Sequence, residues 1–163
     1  MIRETLISLL PVALTVSLNA QVTESIQWTF EYQKVGVDKF EIVMTAEIDK
    51  GWHLYAMDTT EGGPVPTVFS FKAPVGYTLN GRPYPVSLPE VKYDNTYGMD
   101  IGMYNIKAEF RQKIFVTHYP VTVCGNVTFM SCNDMLCLPP RDVEFVVLIK
   151  GGLTKEVKHC NKE

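Results

Sequence analysis

Hydrophobic and polar residues alternate along most of this chain. Ile26, Trp28, Phe30 and Tyr32 are interleaved with Gln27, Thr29 and Glu31, and Phe40, Ile42, Met44, Ala46 and Ile48 with Glu41, Thr45 and Glu47. Successive side chains of a strand point to opposite faces, so these period-two runs predict half-buried strands. The rhythm returns at Phe69 and Phe71, at Ile106, Ala108 and Phe110, at Ile114 and Val116, at Val121 and Val123, at Val127 and Phe129, and at Val143, Phe145, Val147 and Ile149. Turn-forming clusters separate the runs: Val37-Asp38-Lys39, Asp49-Lys50-Gly51, Gly62-Gly63-Pro64 and Ala73-Pro74-Val75-Gly76. Beyond residue 20 no stretch keeps an i, i+3, i+4 apolar stripe over the length of a helix. Many short strands punctuated by turns predict an all-β, immunoglobulin-like antiparallel β-sandwich, with a barrel as the alternative.

One region breaks the rhythm. Residues 79–103 carry Pro83, Pro85, Pro89, Gly81, Gly98 and Gly102 among the aromatics Tyr84, Tyr93 and Tyr97. Proline cannot donate to a ladder, so the expectation is long loops with one short edge strand, and long loops in a compact domain often carry function. Trp28, Phe30, Phe69 and Phe71 read as core, and Tyr93, Tyr97 and Tyr104 as exposed aromatic contacts.

The N-terminus has a different texture. Arg3 precedes an uncharged, mostly apolar run over residues 6–18, which ends at Asn19-Ala20-Gln21. This is the pattern of a secretory signal peptide over residues 1–20, followed by one domain over 21–163 whose tail from about 151 is polar. The run is interrupted by Pro11 and is shorter than the roughly 20 residues a membrane span needs. A composition of 46% hydrophobic and 20% charged residues suits a globular domain with its own core. The formal net charge of -3, without a block of Lys or Arg, argues against a nucleic-acid surface.

Export changes what cysteines mean, because thiols outside the cytoplasm tend to pair. Cys124, Cys132, Cys137 and Cys160 allow three pairings, and the short spacing favours Cys132 with Cys137. If residues 127–132 and 137–149 are the arms of a hairpin with residues 133–136 as its loop, the two cysteines oppose one another at a separation a disulfide accepts. A closed loop of six residues contributes only about 2 kcal/mol in the chain-entropy treatment, against about 4.7 for a hundred-residue loop. Such a bond is a weak staple, which leans the pair toward a reagent. Pro139 and Pro140 place the following arm at an edge or rim, where a partner thiolate has access. The C-x4-C loop itself holds no Lys, Arg or His, and Asp134 would raise a neighbouring thiol pKa. A reactive pair would therefore act chiefly as an electron acceptor from an attacking thiol. Cys124 reads as a buried thiol in a strand and Cys160 as a tail residue, paired with each other or with nothing. His53 is a candidate to poise a thiol, though a lone histidine among aromatics is more often structural; His118 and His159 read as surface residues. The second Cys or His pair of a zinc site is absent, so neither metal nor other cofactor is expected.

Four segments in order, "KGWHLYA" (50–56), "GGPVPTVFSF" (62–71), "YDNTYGMDIGMY" (93–104) and "VTFMSCNDMLCLPP" (127–140), resemble the N-terminal periplasmic domain of the thiol:disulfide interchange protein DsbD. The resemblance implies an immunoglobulin-like domain acting as a protein thiol:disulfide oxidoreductase in the periplasm or as a secreted protein. It would relay electrons from a thioredoxin-like donor to oxidised periplasmic proteins, without a membrane span of its own. Carried over by position, Cys137 matches the cysteine that forms mixed disulfides and Cys132 the one that closes the internal bond. Asp94, Asn95, Thr96, Tyr97 and Gly98 match the cap loop that shields the pair, and His53, Tyr55, Asp134 and Pro139 form its surroundings. The family pattern has five residues between the cysteines where this chain has four. The usual cap aromatic lies at or beside Thr96, so Tyr97 would serve as the lid, and a family tyrosine falls at His53. No membrane-spanning or thioredoxin-like region follows Glu163, so a free-standing relative or an excised piece is expected. The rival reading is a non-catalytic immunoglobulin-like binding module whose hairpin disulfide is structural.

Overall fold

The computed structural model describes residues 24–58 and 61–151; the expected signal peptide, Cys160 and His159 lie outside them. The described residues form eleven strands: β1 (Ile26–Gly36), β2 (Lys39–Ile48), β3 (His53–Tyr55), β4 (Val68–Phe71), β5 (Tyr77–Pro85), β6 (Glu90–Asp94), β7 (Met99–Tyr104), β8 (Lys107–Val116), β9 (Val121–Phe129), β10 (Ser131–Cys132) and β11 (Arg141–Ile149). They make three antiparallel sheets in the orders β1-β2-β8-β5, β11-β9-β4 and β10-β3-β7-β6. No helix of the described residues is long and apolar enough to cross a membrane.

The first two sheets are the layers of the immunoglobulin-like sandwich. Alternation in β2 and β8 sends Ile42, Met44, Phe110 and Ile114 inward, each almost wholly buried. Rings from both layers meet between them. Trp28 touches Phe69 edge-on at 5.6 Å between centroids, and Phe30 stacks on Phe145 at 4.6 Å, geometries that add to what burial alone contributes. Trp28, Phe30 and Phe71 are half-buried on the margin of this core rather than inside it, while Phe69 is buried.

The proline-rich region is not a loop. Residues 79–103 form most of β5, β6 and β7. The prolines are tolerated because β5 is an edge strand, and its pairing with β8 shifts register between Asn80 and Tyr84. Gly81 sits at that shift with a φ of 76°, a left-handed backbone that glycine adopts without a Cβ clash. The carbonyls freed there are not orphaned: the buried Gln112 amide points Nε2 at the Asn80 and Gly81 oxygens at 3.4 and 3.3 Å. Two further expectations fail on the same segment. Tyr104 is buried, because it stands opposite Leu54 of β3 on the face that packs into the main core, and Ile106 is 78% exposed, because it falls in the turn before β8.

The third sheet is small and has two unlike faces. Leu54 and Tyr104, opposed across β3 and β7, join the main core. Tyr55 and Met103, opposed one residue along, point the other way and form a separate cluster with Ile101 and Cys132. A one-residue step flips the side chain to the other face, so the same short strand serves the core and a second site.

Candidate functional site

Cys132 and Cys137 are joined by a disulfide, with Cα atoms 4.0 Å apart. The turn between them is closed independently of that bond. Asn133 Oδ1 accepts the amides of Met135 and Leu136 at 2.9 Å each, and the Asn133 amide donates to the Leu136 carbonyl at 2.9 Å. Asparagine favours this local turn because its side chain mimics a backbone acceptor. Beyond it, the Leu138 amide donates to Ser131 O at 2.9 Å, and Pro139 and Pro140 lie exposed before β11.

The expected hairpin arms are real only in part. β9 and β11 pair from Val121 with Ile149 to Phe129 with Arg141, but the chain then leaves this sheet at Met130. Ser131 and Cys132 become β10, pairing with Leu54 and His53 of β3 in the small sheet. A buried hydrogen bond of 2.7 Å between the Ser25 and Ser131 hydroxyls fixes the crossing. The pair therefore sits beyond the hairpin stem, on the outer face of another sheet. Cys132 is 1% exposed and Cys137 only half-buried, so an approaching molecule meets Cys137 first.

The β6–β7 hairpin overhangs this face, and Asp94 builds its four-residue turn. The carboxylate accepts the amides of Thr96 at 2.8 Å and Tyr97 at 3.3 Å, the Asp94 carbonyl accepts Gly98 N at 2.7 Å, and Gly98 takes a φ of 67°. The other carboxylate oxygen accepts the Tyr55 hydroxyl at 2.7 Å. The turn is thus tied to the strand beside the cysteines. Tyr97 leans inward from it, edge-on to Tyr55 at 6.1 Å, with its hydroxyl 3.6 Å from Met130 Sδ. Tyr97, Met99, Met130 and Cys137 pack against the buried cluster of Tyr55, Ile101, Met103 and Cys132.

On the far side of Cys132 lies a cleft of about 280 Å³, bounded by His53, Lys92, Asp94, Asn105, Asn133 and Asp134 among others. Burial pushes the Asp94 carboxyl up, but hydrogen bonds from Tyr55, Thr96 and Tyr97 outweigh it and leave the group below its ordinary range. Burial and the bond to Asp94 drive the Tyr55 hydroxyl far above its usual pKa, so it remains a donor. His53 is lowered by burial, opposed by Asp94 and Asp134 and assisted by Lys92. Its Nε2 is buried without a hydrogen-bond partner among the described residues, 4.0 Å from Asp94 Oδ2.

Cys132, Cys137, His53, Tyr55, Asp94 and Tyr97 are thus brought together, with Thr96 and Asn95 on the cleft wall; Pro139 stands outside the cluster. Tyr93 is exposed at 63% and Tyr104 contributes to the main core instead. Cys124 is half-buried, because it occupies the outward phase of β9, and it is disulfide-bonded rather than a free thiol. Three residues went unnoticed in the sequence: Met130, which meets the Tyr97 hydroxyl, and Ile101 and Met103, which floor the site. The alternation of Met99, Ile101 and Met103 in "MDIGMY" was the available signal. Among the described residues no group of three or more His, Cys, Asp or Glu is arranged to hold a metal ion.

The family described as "Thiol:disulfide interchange protein DsbD, N-terminal" matches residues 12–149. Among solved structures, the reduced DsbD N-terminal domain of Neisseria meningitidis is similar with a TM-score of 0.51 and 21% identity, over 76% of this chain and 86% of that one. The N-terminal periplasmic domain of ScsB from Proteus mirabilis gives 0.49 and 16%, over 74% of this chain and 44% of that one. No curated protein sequence matches the chain. At such identities the likeness to the Neisseria domain speaks for the sandwich fold alone.

Proposed function

This chain belongs to the family of DsbD N-terminal domains, and on that footing we propose that its Cys132–Cys137 disulfide is a reagent that relays electrons between proteins outside the cytoplasm. A thiolate of a thioredoxin-like donor attacks Cys137 Sγ and expels Cys132 as the leaving sulfur. The donor's second thiol then displaces Cys137, leaving the donor oxidised and this pair reduced by two electrons. In the second half, the Cys137 thiolate attacks the disulfide of an oxidised extracytoplasmic protein. Cys132 then attacks Cys137 Sγ, the internal bond re-forms, and the acceptor departs as a dithiol. In this reading residues 1–20 are the export leader and the remainder one exchange domain.

The observation that carries the proposal is where the disulfide lies. It closes a turn that Asn133 already closes, on a face apart from the main core, with the half-exposed Cys137 outward and the buried Cys132 behind it. A staple in that position secures little, whereas exchange needs one reachable sulfur and one sheltered one. The asymmetry supports attack at Cys137. Met135, 87% exposed, and Leu136 stand beside it as apolar contacts for a docking partner.

The test is the reduction potential of the pair, read by equilibration with glutathione and mass spectrometry, with circular dichroism on both states. The expected value lies between about -120 and -270 mV, the span of known exchangers. The fold should persist, since opening so short a loop costs only about 2 kcal/mol. A potential below about -300 mV, or loss of structure on reduction, would make the bond structural and the chain a binding module.

A further inference from the structure

A sulfur that is to attack from inside a protein must first lose its proton, and burial makes the thiolate costly to form. Cys132 has this difficulty. It is 1% exposed, and the carboxylates sharing its cleft, Asp94 and Asp134, oppose a second negative charge. Lys92 on the same wall is half-exposed and engaged at 2.8 Å with Glu90. One neighbouring group has suitable chemistry. His53 is the register partner of Cys132 across β3 and β10, and directly opposed residues of antiparallel strands project to the same face. Both residues line the cleft.

The His53 ring also has an unexplained atom. Nε2 is buried and lacks a hydrogen-bond partner among the described residues, and Asp94 Oδ2 at 4.0 Å is too far to accept. A buried polar atom without a partner calls for a reason. With the cysteines oxidised, Cys132 has no proton to offer; once they are reduced, it carries an S–H at the strand position opposed to His53.

We propose that His53 Nε2 is the proton acceptor for the Cys132 thiol, generating the thiolate that resolves the mixed disulfide between Cys137 and an acceptor protein. The inference rests on the exchange reading above. In the step, the proton moves from Cys132 Sγ to Nε2, the Cys132 electron pair forms the bond to Cys137 Sγ, and the Cys137–acceptor bond breaks with its electrons leaving on the acceptor sulfur. The imidazolium so formed faces Asp94 Oδ2, tethered by Tyr55 and the turn amides, and later gives its proton to water through the cleft. Burial, against the pull of Asp94 and Asp134 and with the push of Lys92, leaves the ring neutral beforehand, as a base must be. Run in reverse, the same nitrogen returns a proton to Cys132 as it leaves.

The reduced protein is mixed with 5,5′-dithiobis(2-nitrobenzoate), quenched in acid at intervals, and the adduct on Cys137 followed by mass spectrometry. The adduct forms as Cys137 attacks the reagent and decays as Cys132 attacks Cys137. His53→Gln should leave formation unchanged, slow decay about tenfold or more near neutral pH, and move the midpoint of the decay's pH profile upward. His53→Tyr, which keeps a ring against Tyr55, should behave alike, with circular dichroism confirming that each variant folds. Decay at the wild-type rate and with the wild-type pH profile in either folded variant overturns the inference and leaves the exchange reading standing. A wild-type adduct that never decays overturns both.

Discussion

Asp94 acts on four groups at once: its carboxylate holds the Tyr55 hydroxyl and the Thr96 and Tyr97 amides, and its carbonyl holds the Gly98 amide. Hydrogen bonds to a charged group contribute about 1.5–3 kcal/mol, so Asp94→Ala should lower unfolding stability near neutral pH by that amount, as read from urea midpoints. The folded state holds the carboxyl below its ordinary 3.8. The unfolded chain therefore takes up the proton first, and the contribution is complete above 3.8 and lost as pH falls through the lower, folded pKa. The stability gap between the protein and Asp94→Ala should accordingly close in acid. The cysteine spacing identified the disulfide pair, but nothing local marked Asp94 as the residue that binds the hairpin to Tyr55, because that contact joins residues far apart in the chain.

The β6–β7 hairpin is where reading by element went furthest astray, and it overhangs the face that carries the disulfide. Prolines at 83, 85 and 89 suggested loops, yet β5 and β6 are both edge strands, and an edge leaves room for residues that cannot donate. Within the hairpin, Tyr97 is held by its edge contact with Tyr55 and by Met130. An aromatic pair of this geometry contributes about 0.5–1.5 kcal/mol, so Tyr97→Ala should raise the population of the open hairpin roughly 2- to 10-fold. Reduction of the Cys132–Cys137 bond by dithiothreitol should quicken by a similar factor, and so should oxidation of the reduced pair by unrelated disulfides. Unchanged rates in both directions would mean that the hairpin does not shield the sulfurs.

At the scale of the molecule, the sandwich core and the cluster around the disulfide are separable because the small sheet turns different sides to each. Gly125 tests the separation. A Cβ there would stand 2.3 Å from the Ser70 carbonyl oxygen and 2.5 Å from Phe145 Cζ, between β4 and β11. Backbone cannot yield as a flexible side chain can, so Gly125→Ala should cost about 1–3 kcal/mol of stability or prevent folding. Where the variant folds, the potential of the cysteine pair should match the wild type, since none of the displaced atoms belongs to its cluster. A shifted potential would show that strain in the sandwich reaches the site. The switch of the chain at Met130 from β9 to β10 carries the cysteines from one unit to the other.

Period-two alternation by itself determined β1, β2, β4, β8, β9 and β11 and with them the sandwich, since burial on one face demands it at each position whatever the partner. Spacing and neighbouring residues likewise determined which cysteines join, because short loops close most readily. Tertiary structure alone decided that Tyr104 turns inward, that the hairpin arm changes sheets after Phe129, and that His53 stands opposite Cys132. Each of these depends on which strand lies beside which. Register between distant segments is fixed by the packing of the whole core, and no single stretch of sequence encodes it.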